Sequence, residues 1–324
     1  MTMVPALLSR IGTAMALAAA VLFTAAAPAA AKFPEKPITI IVGYGAGGMT
    51  DVSSRILAEK LEKILGVNVI VENKPGAGGT LAWTATLDRE ADGYTITSFA
   101  THDYVASVML DRKISLDDFT AIGSIMPQQR VLFATNSMPF DTMEGMIEYT
   151  KKTPVTFADG GLYWASRVVE AFAKKNDLKI RLVPFKSGAE GSAALLGGHV
   201  SIGETGVGTG AWLGATRKGT LKILGILSPG DLERVGQKGV RSIGTVGADY
   251  LTKVYYGYAV KAGTPADRVA IISDAIEKAL KDPDVAAKFK ERDLIPEWIP
   301  PGSYKETLLS LTDEAQKLKA YLAE

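Results

Sequence analysis

Residues 37–51 read P-I-T-I-I-V-G-Y-G-A-G-G-M-T-D. A β-branched run enters a glycine-rich turn, and behind it Val52, Ile56, Leu57, Leu61, Ile64 and Leu65 fall close to helical spacing. The pattern predicts a buried strand over residues 37–43, a tight loop and an amphipathic helix over residues 50–65, the opening of a β-α-β unit. Working outward, residues 67–72 form the next strand and residues 76–80 lead into a helix ending at Leu87. Ala91-Asp92-Gly93-Tyr94 then turns the chain into a strand over residues 95–99. The alternation returns later, with strands over 155–158, 180–184, 200–203 and 221–227 and helices over 166–175 and 189–196. Strands over 130–135 and 255–260 stand where the chain would leave one lobe and come back. Residues 267–281, 283–291 and 303–322 close the chain as helices, so the expected class is α/β.

Upstream, Arg10 is the one charge before an apolar run over residues 11–27, and Ala29-Ala30-Ala31 supply the small residues a signal peptidase reads. The run is shorter than the roughly 20 residues of a spanning helix. Residues 1–31 are therefore expected to be a signal peptide cleaved near Ala31, which places the mature chain in the periplasm. The chain has no cysteine, so disulfides, thiolate chemistry and a lipid-modified cysteine at the mature amino terminus are excluded. A mature chain of this length must rest on hydrophobic cores, and two domains are the default. The 36 basic residues face 35 acidic ones, and loss of Arg10 with the signal makes them equal. A neutral protein lacks the basic footprint of nucleic-acid or anionic-lipid binding.

The loop from Gly43 to Gly48 satisfies G-x-G-x-x-G, and Glu72 ends the next strand near where a ribose-binding carboxylate would stand. A dinucleotide is set aside because an exported protein meets no nicotinamide pool. The physics of the loop outlives that ligand: glycines let backbone N–H groups point inward, and the helix that follows adds the positive end of its dipole. Thr50 is a candidate N-cap, with Asp51 favourable in the first turn. A second loop of the same kind runs N-K-P-G-A-G-G-T over residues 73–80, with Thr80 as candidate cap. In an open α/β sheet both loops emerge at the carboxyl ends of strands, where ligands bind.

Several stretches fall in one order: F-P-E-K-P-I (33–38), G-G-M-T-D (47–51), V-E-N-K-P-G-A-G-G (71–79) and D-G-Y-T (92–95), then V-P-F-K-S-G (183–188), L-L-G-G-H-V (195–200) and A-G-T-P (262–265). Together they resemble the receptors of tripartite tricarboxylate transporters, the Bug family, over essentially all of the mature chain. The resemblance implies a type II periplasmic binding protein: two Rossmann-like lobes joined by crossing strands, residues 32–126 and 251–324 in lobe 1 and residues 127–250 in lobe 2. It implies capture of a small organic carboxylate and its delivery to a membrane permease of one large and one small subunit. A monomer without cofactor is expected. In the family, backbone groups of the first two glycine loops hold the ligand carboxylate, partly through ordered water. That carries onto Tyr44, Gly45, Ala46, Gly47, Gly48 and Met49, and onto Gly76, Ala77, Gly78, Gly79 and Thr80. Contacts from the far lobe carry onto Asp159, Gly160, Gly161, Tyr163 and Trp164, onto Lys186 and Ser187, and onto Glu204 and Thr205. This chain departs from the family pattern in three places. Gly43-Tyr44-Gly45-Ala46 stands where prolines usually precede the paired glycines, D-G-G-L-Y-W (159–164) replaces small serine and glycine residues, and Glu204-Thr205 replaces an Asp-Asn pair.

His102 and His199 are the two histidines. His102 follows the strand over 95–99 beside Asp103 and Tyr104, so it reads either as a solvated or hydrogen-bonded loop residue or as a ligand contact at the cleft rim; His199, in a Gly-Gly turn, reads as structural. Tyr163 and Trp164 are either an aromatic wall for the ligand or packing near a helix start. Glu204 either accepts a hydrogen bond from a ligand hydroxyl or amine or is a solvated loop carboxylate. Neither a G-x-S-x-G elbow nor an H-E-x-x-H zinc motif occurs. Two rival readings are a secreted hydrolase using His102, Asp103 or Glu204 as acid or base, and an accessory protein that reports ligand to a membrane sensor.

Overall fold

Strand β1 (Ile38–Val42) buries four of its five residues completely, the mark of a strand covered on both faces. The computed structural model describes residues 32–324 apart from 160–162, 186–187, 208–210, 233–237 and 293, and residues 36–324 form one compact unit. From β1 the chain enters α1 (Met49–Leu65), β2 (Val69–Asn73), α2 (Thr80–Leu87), β3 (Thr95–Ala100) and α3 (Thr101–Met109). β1 pairs in parallel with β2 on one side and β3 on the other. Helix α1 ends at Gly66 in the left-handed conformation, whose N–H returns to the Glu62 carbonyl, a closure that glycine makes without a Cβ penalty. Both expected threonine caps are displaced: Gly48 and Gly79 hold the N-cap positions, leaving Thr50 and Thr80 inside the first turns. The Thr80 hydroxyl donates to the Ala77 carbonyl instead.

The first sheet is completed by β4 (Phe119–Gln128) and by β10 (Val254–Lys261), which runs antiparallel between β3 and β4, giving the order β2-β1-β3-β10-β4. After Gln128 the chain crosses to the second sheet, β5 (Arg130–Thr135), β6 (Val155–Asp159), β7 (Ile180–Pro184), β8 (Ile202–Gly206) and β9 (Leu221–Ile226), ordered β7-β6-β8-β5-β9. The two orders are the same pattern, with an antiparallel fourth strand inserted in each. Strands 130–135 and 255–260 are thus members of the sheets, with the crossings at their ends. The second sheet carries α4 (Met143–Lys152), α5 (Tyr163–Lys175), α6 (Gly188–Leu196) and α7 (Ala211–Arg217). The chain ends in α8 (Ala266–Leu280), α9 (Pro283–Lys290) and α10 (Pro301–Ala323). Among the described residues no helix is long and apolar enough to cross a membrane.

Apolar cores lie on both faces of the second sheet, one around Phe157, Phe172 and Leu227 and the other around Phe133, Leu195 and Ile226. In the first lobe Trp83 stacks on Phe99 at 4.4 Å between ring centroids and gives its indole N–H to the Ser98 carbonyl at 2.9 Å. That buried aromatic set anchors α2 directly behind the second glycine loop. A further cluster joins the lobes: Trp164 and Val168 of α5 pack with Val105 and Met109 of α3 and with Leu311, Ala315 and Leu318 of α10.

Candidate functional site

In the first sheet the chain leaves β1 toward β2 on one side and later reaches β3 on the other, so strand order reverses between β1 and β3. Ligands of open α/β sheets bind in the crevice at such a switch point. Here the crevice lies between the β1–α1 loop and the first turn of α3, with the β2–α2 loop beside it. A Cβ on Gly43 would stand 2.8 Å from the Gly79 Cα, so the two glycine loops touch backbone to backbone. The contact needs glycine at both positions, since Gly79 also has φ +82°.

Hydrogen-bond accounting separates the loop amides that hold the loops together from those that remain. The Gly43 N–H donates to Ser98 Oγ, Gly47 to Asp51 Oδ2, Gly48 to the Gly45 carbonyl, Gly79 to the Gly76 carbonyl and Thr80 to the Ala77 carbonyl. The amides of Gly45, Ala46, Ala77 and Gly78 make no such bond among the described residues, and all four residues are exposed. The uncommitted amides are thereby fewer than those of the two full loops. Asp51 has become a stitch: besides Gly47 it accepts from Asn73 Nδ2 at 2.9 Å and Arg55 Nε at 3.0 Å, while Asn73 also donates to the Tyr44 carbonyl. Burial pushes the Asp51 carboxyl up, but the hydrogen bonds from Arg55, Gly47 and Asn73 outweigh it and hold it below the usual range. Arg112, just beyond α3, donates to the Ala77 carbonyl and to Thr80 Oγ1 and brings a cation to the second loop.

The floor of the crevice is polar and buried. Tyr44 donates its hydroxyl to Asp103 at 2.6 Å, and His102 Nε2 lies 2.7 Å from the same oxygen. His102 is a helical residue, 4% exposed, where a solvated loop position was one expectation. Burial, joined by the positive charge of Arg130, lowers the His102 imidazole to about 3, and burial raises the Asp103 carboxyl to about 7 against the opposing pull of Tyr44 and Arg112. At the lobe crossing, Gln128 takes hydrogen bonds on Oε1 from Arg130 Nη1 and Tyr256 Oη. It gives two from Nε2, to the Val207 carbonyl and Met49 Sδ. Arg130 donates through Nε to Glu204 Oε2 at 2.6 Å. Glu204 is therefore neither solvated nor in a loop: it sits in β8, its side chain 5% exposed, engaged by Arg130.

The structure brings Tyr44, His102, Asp103 and both glycine loops together. Asp159 stands at the end of β6, accepting from Ser166 Oγ at 2.5 Å with Arg167 at 3.6 Å, and Thr205 lies beside Glu204 in β8. Trp164 is 2% exposed inside the interlobe cluster, packed against α3 and α10. Gly160, Gly161, Lys186, Ser187 and the side chain of Tyr163 lie outside the described residues. Gln128, Arg130, Arg112 and Tyr256 were not expected in the site. A cavity of about 230 Å³ at the crossing includes Gln128, Gln129, Val207, Thr252 and Tyr255 in its lining but no residue of either glycine loop. Among the described residues no cluster of His, Asp or Glu is arranged to hold a metal ion.

Residues 53–320 match the model of the tripartite tricarboxylate transporter family receptor. The chain belongs to that family. A relative from Cupriavidus necator, the UPF0065 protein in the gbd 5′ region, is 32% identical over 92% of this chain and 91% of its own length. Protein BugT of Bordetella pertussis is 28% identical over 92% of each chain. The crystal structure of a TctC solute-binding protein from Polaromonas superposes with a TM-score of 0.74 at 25% identity, covering 88% of this chain and 98% of that one. A Rhodopseudomonas palustris protein with bound adipate reaches 0.76 at 19% identity, covering 90% and 98%, which speaks for the fold alone. Membership makes the chain a solute-binding receptor of the TctC fold rather than an enzyme. The hydrolase reading falls with that assignment.

Proposed function

We propose that this receptor works in the periplasm, closes its two lobes on a small organic carboxylate and delivers it to a permease of one large and one small subunit. The observation that carries the reading is the set of exposed, uncommitted amides at Gly45, Ala46, Ala77 and Gly78, placed at a topological switch point. Neighbours of the same fold bind adipate and malate, which makes dicarboxylates the first ligands to test. A ligand at about 100 times its Kd stabilises by roughly 2.7 kcal/mol. A thermal-shift panel of mono-, di- and tricarboxylates should therefore raise Tm for at least one member, and a panel without a response at any pH refutes the reading.

Gly43→Ala supplies the companion test. Its Cβ meets backbone of the other loop at 2.8 Å, so the loops must part and the amides lose their common focus. Binding of every responding carboxylate should weaken about tenfold or more, in keeping with about 1.4 kcal/mol per decade. At Gly78 an added Cβ meets only Arg112 Nη1, at 3.7 Å, and the cost is that of φ +58°. Gly78→Ala should thus be the milder change, and calorimetry that reverses the order refutes the close-contact argument. We also propose processing after Ala31, with Arg10 and the apolar run as its signal. The periplasmic protein should begin at Lys32 on amino-terminal sequencing, and an intact Met1 in a membrane fraction would overturn this.

A further inference from the structure

Three groups in the crevice form one closed cluster: the Tyr44 hydroxyl reaches both Asp103 oxygens at 2.6 Å, and His102 Nε2 lies 2.7 Å from Tyr44 Oη and 3.2 Å from Asp103 Oδ1. The far ring atom, His102 Nδ1, is buried and has no hydrogen-bond partner. A buried polar atom left unpaired costs about 1–3 kcal/mol, so a fold that retains one has a use for it or fills it on binding. His102 stands in the first turn of α3, at the carboxyl end of β3, and its ring meets Tyr256 of β10 edge-on at 5.3 Å between centroids. That is the switch point where the amides of Gly45 and Ala46 also lie.

The cluster allows two proton arrangements. With Asp103 ionised, the Tyr44 O–H is committed to the carboxylate, His102 carries its proton on Nε2 and gives it to the Tyr44 oxygen, and Nδ1 is a bare acceptor. When a proton reaches Nδ1, the Nε2 proton passes to the Tyr44 oxygen and the Tyr44 proton passes to Asp103. The imidazole ends neutral in both arrangements, the carboxyl ends neutral in the second, and Nδ1–H has become a donor. We propose that His102 Nδ1 is a ligand-contacting, specificity-determining atom of the cleft, and that the Asp103–Tyr44–His102 relay takes up one proton as a carboxylate binds. This deepens the function proposed above and rests on it for the identity of the ligand class.

The surroundings support a carboxyl that takes its proton near neutrality. Facing Asp103 are Tyr44 from the β1–α1 loop, His102 on its own helix, Arg112 beyond that helix, Tyr304 of α10 and the Gly79 backbone, where a Cβ would come within 2.8 Å of Oδ2. Facing His102 are Tyr44, Tyr256 of β10, Asp103 and, from the second lobe, Arg130 of β5. Arg130 opposes an imidazolium, and burial does so more strongly, so an added proton ends on Asp103. An ionised Asp103 beside the second glycine loop repels a ligand carboxylate, whereas the protonated relay removes that charge and offers Nδ1–H in its place.

Two histidines make the ligand-free protein a direct test. Long-range proton–nitrogen NMR, with His199→Gln to assign the signals, should show His102 neutral from about pH 5 to 9 and changing from the Nδ1–H to the Nε2–H form near pH 7 as pH rises. A single tautomer throughout, or an imidazolium forming above pH 5, overturns the inference. Adipate is the binding probe: above the midpoint, where Asp103 starts ionised, its Kd should rise about tenfold per pH unit and about one proton should be taken up per ligand. Calorimetry in buffers of different ionisation enthalpy reads that proton in the unmodified protein, and no uptake at pH 8 overturns the relay. Asp103→Asn should hold His102 in the Nδ1–H form and flatten the pH dependence. Failure of the functional reading is distinguishable, because it appears as absence of carboxylate binding at every pH, whereas failure of the relay appears as a fixed tautomer.

Discussion

Trp164→Ala is expected to lower the free energy of unfolding by about 3–5 kcal/mol, the usual cost of emptying a buried tryptophan site. The indole is 2% exposed and belongs to the cluster that α5 of the second lobe shares with α3 and α10 of the first. Its removal loosens the seam that joins α5 to α3 and α10, so fewer molecules hold the two lobes in the binding-competent placement. Apparent affinity falls in proportion to that population, by one factor for all ligands. Urea titration measures the stability loss, and calorimetry against adipate, malate and citrate should show weaker binding with unchanged ranking. A reordered ranking would mean that the indole touches ligand after all.

What could be read from the sequence was what short-range pattern encodes. The β1 run was legible because a strand covered on both faces is nearly all β-branched, and the glycine loops were legible because φ values such as +82° at Gly79 favour glycine. Helix α3 was missed because eight of its nine residues are buried, which erases the polar face that gives a helix its period. With α3 unread, His102 and Asp103 looked like loop residues. Strand β4 was missed for a different reason. Gly123 and Pro127 interrupt it, and both argue against a central strand. The structure accommodates them because β4 is the sheet edge, with Gly123 at φ +141° where its register with β10 shifts. The Gln128 network and the partner of Glu204 depend on contacts far apart in the chain, Arg130 to Glu204 spanning 74 residues, and no local pattern announces them.

That long-range pair carries the other large effect. Arg130→Met should destabilise the protein by about 3–5 kcal/mol, because it strands a buried carboxylate and strips Gln128 of one donor. Burial already raises the Glu204 carboxyl above its ordinary value, with Arg130 pulling it back. In the variant that restraint is gone and the folded-state value rises further. A carboxyl whose folded value lies above its unfolded one binds the proton more tightly when folded, so stability is lost as pH rises between the two values. The deficit of Arg130→Met should accordingly be smallest near pH 4–5 and grow toward pH 8. Replacing both partners removes the buried charge altogether, and such double replacements are often neutral or better. Arg130→Met/Glu204→Leu should recover most of the loss and flatten the pH dependence that the single variant shows. Urea unfolding at pH 5 and pH 8 decides it: a double variant as unstable as the single one, or a deficit independent of pH, would show that Arg130 holds the lobe together through something other than the Glu204 charge.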